Sequence, residues 1–119
     1  MSVGPRQILL LGSEASGVYT GVTTGTSQPI DTRGFDELLF TFESVGTTSG
    51  GTLLIEEASR KDYTGTWSQI ASVSASTFTG TVQLAYHISP NAYAYVRVRI
   101  SSTVTGGGKV LVFLDQQGR

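Results

Sequence analysis

Tyr93-Ala-Tyr-Val-Arg-Val-Arg-Ile100 is the stretch that decides the fold. Ala94, Val96, Val98 and Ile100 fall on one side of it, and Tyr93, Tyr95, Arg97 and Arg99 on the other. Successive side chains of a strand point to opposite faces, so the first row is set to enter a core and the second to stand outside it. Large amphipathic side chains in such an outer row are either solvated or presented to a partner.

The same period of two recurs on both sides of this stretch. Leu38, Phe40 and Phe42 alternate with Leu39, Thr41 and Glu43, and Leu53 and Ile55 with Leu54 and Glu56. Val110, Val112 and Leu114 face opposite to Leu111 and Phe113. That last strand is apolar on both sides, which predicts a central strand or an edge covered by something else. Weaker strand patterns lie at 7–11, 17–22, 28–31, 66–73 and 81–87. Glycine and small polar residues separate them, at Thr47-Thr-Ser-Gly-Gly51, Thr79-Gly80, Ser89-Pro-Asn91 and Gly106-Gly-Gly108. Eight or nine strands at this spacing predict an all-β, two-sheet antiparallel β-sandwich with jelly-roll order. An immunoglobulin-like order is the alternative. Trp67, the lone tryptophan, is expected to anchor the core or one end of it.

The chain has 119 residues, the size of one domain. Residues 1–7 read as an extended arm with Pro5 near its middle, and 115–119 as a polar tail. Only 14% of residues are charged, and serine and threonine, 30 in all, fill the gap beside 15 glycines. Threonine suits exposed strand faces and glycine suits tight turns, so this composition agrees with a sandwich. Net charge is −1, with no basic stripe to neutralise a row of phosphates. That argues against nucleic acid as a partner. The apolar run Ile8-Leu9-Leu10-Leu11 is too short for a signal sequence or a membrane span, so synthesis in the cytoplasm is expected. Cysteine is absent, and folding must rest on the core or on partner surfaces.

Catalysis is not expected. No thiol is available and no Gly-x-Ser-x-Gly elbow occurs; a serine–histidine–aspartate set would have to be built on His87, the one histidine, which reads instead as a strand-end residue near the Ser89-Pro90 turn. Zinc sites built on histidine and thiolate are excluded for the same reason. Asp36 and Glu37 precede a strand with Asp31 nearby; they could contribute to a hard-cation site or form a solvated loop. Glu56 and Glu57 are neighbours on a strand and point to opposite faces, so they cannot work as a pair. Thr105-Gly-Gly-Gly-Lys109 joins two strands and opens no helix, so it lacks the cradle of a phosphate loop. No cofactor is expected.

Two surface features remain. The row Tyr93, Tyr95, Arg97 and Arg99 carries residue types enriched in interface hot spots. The segment from Arg60 to Trp67 mixes charges and aromatics beside a glycine, and is either a contact loop or a long hairpin connection with Trp67 turned inward.

Gly51-Thr-Leu-Leu-Ile-Glu-Glu-Ala-Ser59, then Gly65-Thr-Trp-Ser68, Tyr95-Val-Arg-Val-Arg-Ile100 and Thr105-Gly-Gly-Gly108, follow one another in an order that resembles small β-sandwich proteins of tailed-phage virions. These include head decoration (cement) proteins and modules of tails and fibres. The resemblance spans roughly residues 35–114; the Asp-Gly common before the tryptophan in sugar-binding and tail versions is missing here. It implies a non-enzymatic virion protein that binds the major capsid protein and copies of itself, a trimer being the expected form. Val3, Pro5 and Arg6 of the arm, with Tyr93, Tyr95, Arg97 and Arg99, are the expected contact residues. The alternatives are a carbohydrate-binding module of a tail or fibre, with Trp67, Tyr63 or Tyr86 as its aromatic platform, and a neck or tail subunit.

Overall fold

The computed structural model describes residues 6–118. Ten strands are present among them: β1 (Arg6–Leu11), β2 (Ser13–Ala15), β3 (Val18–Thr20), β4 (Ile30–Asp31), β5 (Glu37–Val45), β6 (Gly50–Ala58), β7 (Ser68–Ser74), β8 (Gln83–Ile88), β9 (Tyr95–Thr105) and β10 (Lys109–Gln117). The strand absent from the sequence reading is β2, a three-residue piece too short and too polar to show a period.

Two four-stranded sheets form, in the orders β1-β10-β5-β8 and β4-β9-β6-β7, and every pairing is antiparallel. The pairs are nested: β1 with β10, β4 with β9, β5 with β8, β6 with β7. A long hairpin doubled back on itself and rolled up gives this order, which is that of a jelly roll. Edges β1 and β4 share one flank of the sandwich; β8 and β7 share the other.

The core lies between the sheets and follows from the alternation. Val96 and Val98 are fully buried, as are Phe40, Phe42, Leu53, Ile55, Val110, Val112 and Leu114. Tyr93 corrects the expectation for its row. It precedes β9, where the strand period does not yet hold, and packs against the core cluster. Asn91 fixes that approach: its side-chain amide donates to the carbonyls of Thr32, Phe35 and Tyr93, and its oxygen accepts from the Tyr93 amide. The polar segment read as a tail is largely strand, with Gln116 buried as the inward neighbour of Leu114.

Phe78 also belongs to the core, although it lies in no strand. It follows a single 3-10 turn, Ala75–Thr77, on the crossover from one sheet to the other. The buried Thr48 hydroxyl donates to the Ala75 carbonyl and ties this crossover to the β5–β6 connection.

Residues 12–21 make an excursion at the end of β1. Leu11 pairs with Val112, the β2–β3 hairpin intervenes, and Val22 then rejoins the same edge through two hydrogen bonds with Val110, each 2.9 Å. Glycines mark both pivots. Gly12 sits at φ +107°, and a Cβ there would collide with the Leu111 side chain and come within 2.9 Å of the Thr20 carbonyl. A Cβ on Gly21 would meet the Val110 backbone at 3.0 Å. Only glycine allows so close an approach. The hairpin thus covers Leu111 on the outer face of β10, which accounts for a strand apolar on both sides.

Candidate functional site

Two outer faces carry the side chains of interest. On the sheet β4-β9-β6-β7, register places Glu56 opposite Arg97 and Leu54 opposite Arg99. The Glu56 carboxylate is only 3% exposed and is gripped from both arginines. Arg97 Nε donates to Oε1 at 3.0 Å; Arg99 donates through Nε to Oε1 at 3.2 Å and through Nη2 to Oε2 at 3.0 Å. Charged, forked donors of this kind make strong hydrogen bonds. They push the Arg99 pKa upward, chiefly through hydrogen bonding to Glu56, while burial works in the opposite direction.

Trp67 completes this cluster. Its ring lies 4.3 Å beneath the Arg97 guanidinium, and its indole N–H donates to the Tyr63 carbonyl at 3.1 Å. The tryptophan is buried as expected, but on the outer face of the sheet, under the 59–66 loop, and not within the intersheet cluster. An indole capped by a guanidinium has no open face for a sugar ring. Tyr63 is exposed, with the Arg60 guanidinium stacked over its ring at 5.4 Å.

Tyr95 lies further along the same face. Arg33 reaches across from the end of β4, donating to Asp31 at 2.8 Å and to the Tyr95 hydroxyl at 2.9 Å, with its guanidinium 5.1 Å from the Tyr95 ring. The hydrogen bond to Asp31 is the main reason that the Arg33 pKa is raised. Of the row expected to bind a partner, Tyr95, Arg97 and Arg99 therefore share one face and are already engaged within this chain, the two arginines by Glu56 and Tyr95 by Arg33. Arg6 opens β1 on the other sheet; Val3 and Pro5 lie outside the described residues. The Glu56 network was missed in the sequence, although an Arg-x-Arg strand and a glutamate-bearing strand were both visible. The missing information was their pairing.

The outer face of β1-β10-β5-β8 is different. Register sets Leu9, Phe113, Thr41 and Ala85 in one row across the four strands, and Leu111, Glu43 and Gln83 in the next. Tyr19, from the β2–β3 hairpin, stands against Phe113 with ring centroids 5.7 Å apart and planes at 67°. The two rings border a cleft of about 320 Å³ whose other walls are Gln7, Thr41, Glu43 and Gln83.

His87 occupies the exposed end of this sheet, 3.1 Å from Glu37 Oε1. Asp31, Asp36 and Glu37 do not gather as a cation would require: among the described residues, no group of three or more histidine, cysteine, aspartate or glutamate side chains converges on one point. No described helix is long and apolar enough to cross a membrane.

No protein-family model and no curated sequence matches the chain. Solved structures do match in fold. The protein YomS, derived from the SPBc2 prophage, superposes with a TM-score of 0.57 at 14% identity, over 98% of this chain and 96% of that one. The PBSX exported protein XepA gives 0.52 at 14% identity, over 95% of this chain but only 37% of its own length. The C-terminal family 6 carbohydrate-binding module of LamC, a marine laminarinase from Zobellia galactanivorans, gives 0.51 at 12% identity, over 93% and 90%.

Proposed function

We propose that this chain is a structural subunit of a phage particle that decorates the capsid exterior and acts by binding, with no chemistry of its own. The observation that carries the reading is coextension: the whole sandwich corresponds to the whole of a prophage-derived protein, and again to part of a second. The order of motifs along residues 35–114 points the same way.

The mechanism is mechanical. Each copy bridges neighbouring capsid subunits, and shell expansion has to break those contacts. The outer face of β9 suits the task because Arg97 and Arg99 are pre-positioned by Glu56, and Tyr95 by Arg33. Side chains already held in one rotamer lose little entropy on docking, so more of the contact energy is retained as affinity. The arm, with Val3, Pro5 and Arg6, supplies a second attachment, and two tethered contacts bind more tightly than either alone.

Light scattering on the purified protein should give the mass of an oligomer. Sedimentation with empty capsids of the parent phage should give saturable pelleting. The double variant Arg33→Ala/Tyr95→Ala removes surface groups only, and should weaken pelleting about tenfold, a loss near 1.4 kcal/mol. Absence of saturable pelleting would overturn the decoration reading. Unchanged pelleting of the double variant would move attachment off this part of the β9 face.

A further inference from the structure

The cleft under the β2–β3 hairpin belongs to neither the core nor the β9 face. Its composition is specific. Tyr19 is half exposed and forms a corner with the half-buried Phe113, and both rings line the cleft. Along β5 and β8 the next outward row, Glu43 with Gln83, stands two residues away, about 7 Å along the strand. Among the described residues, the Thr41 hydroxyl, the Glu43 carboxylate and the Gln83 amide make no side-chain hydrogen bond. Gln7 uses its amide nitrogen on Asp115 at 3.2 Å, and its carbonyl oxygen is not part of that bond.

We propose that this cleft binds a neutral saccharide. A pyranose ring has a face of C–H groups, weakly positive, which packs on the negative face of an aromatic ring. Its rim is hydroxyls, each both donor and acceptor, which need partners of both kinds. Amides and a hydroxyl offer both, and a carboxylate accepts strongly. Two aromatic rings and four polar side chains line the cleft, and about 320 Å³ lies at the small end of ligand sites, roughly 300–1,000 Å³. The charge of the lining sets the class of sugar. Glu43 is its single ionic group, with no lysine or arginine among the six residues, so uronic acids and phosphorylated sugars are repelled.

The alternatives are weaker. Beside Tyr63 a cleft of similar size exists, but the Arg60 guanidinium competes for the ring and brings a positive charge into the lining. The Trp67 indole is capped by Arg97. The proposal is independent of the virion reading, since the cleft is complete in a single free chain.

The test is titration of the isotopically labelled full chain, followed by amide NMR, with maltotriose, laminaritriose, chitotriose and trigalacturonate as probes. At least one neutral trisaccharide should saturate shifts at Tyr19, Thr41, Glu43, Gln83 and Phe113. Trigalacturonate should leave them in place. Tyr19→Ala should weaken binding about tenfold, the worth of one well-placed aromatic contact, while Tyr19→Phe retains most of it. Tyr63→Ala should have no effect. The proposal fails if no neutral probe moves these amides up to its solubility limit, or if trigalacturonate binds equally well. Binding that is indifferent to Tyr19→Ala also overturns it.

Discussion

Glu56→Ala should destabilise the protein by about 3 kcal/mol, because it strands two arginines that were folded around one acid. Removing one partner of a buried pair costs roughly 3–5 kcal/mol. The lower end applies here, since the Arg97 and Arg99 side chains keep 21% and 37% exposure and can recover some hydration. In a domain of this size the midpoint of thermal unfolding should fall by roughly 10 °C. Trp67 supplies a local readout: it is the lone tryptophan and lies against Arg97, so its emission should shift to the red in the variant. The raised pKa of Arg99 means that its contribution is complete below arginine's ordinary value and disappears only in strong alkali. The loss should therefore be the same at pH 6 and pH 8. A double-mutant cycle with Arg97→Ala should show coupling of 1 kcal/mol or more. Additive losses in chemical denaturation would mean that the cluster is not a unit.

Phe78→Ala should cost about 3–5 kcal/mol, comparable with truncation of any central aromatic. The ring is fully buried in the intersheet cluster, and it is delivered there by a connection. A 3-10 turn capped by Ser74, and a hydroxyl from Thr48, hold the crossover so that the side chain plugs the end of the sandwich. With total stability of 5–15 kcal/mol for such a domain, this loss should leave a marginal fold that opens in mild urea. A change below about 1 kcal/mol would show that the end of the sandwich collapses to fill the space.

Much of this architecture was legible in the sequence because a half-buried strand records its two faces in alternate residues. Val96 and Val98 against Arg97 and Arg99 is the plainest case, and Phe40 and Phe42 with Leu38 is the next. What alternation does not record is which strands meet. Glu56 and the two arginines are more than forty positions apart, and only the β6–β9 register makes them one object. Phe78 was hidden for a different reason: a connection has no period, so nothing local marks its ring as inward. Tyr19 was hidden twice over. It belongs to a hairpin whose first strand has three residues, and its partner Phe113 lies at the far end of the chain. The outward row that was expected to bind was visible; the fact that its arginines are engaged within the chain was not.

The way in which the β2–β3 hairpin is attached has a consequence for how the chain tolerates change. Leu11 pairs with Val112, and Val22 with Val110, so residues 12–21 stand where one residue would continue the strand. The ladder on β10 resumes as though nothing had been inserted. Closing a longer tip costs little, since each doubling of a loop adds only about 0.6 kcal/mol. Changes in its length should therefore be tolerated by the two sheets, with glycine required at the two pivots. Because the hairpin brings Tyr19 to the cleft, a change in this one short tip would reshape the proposed saccharide site and leave the two sheets as they are.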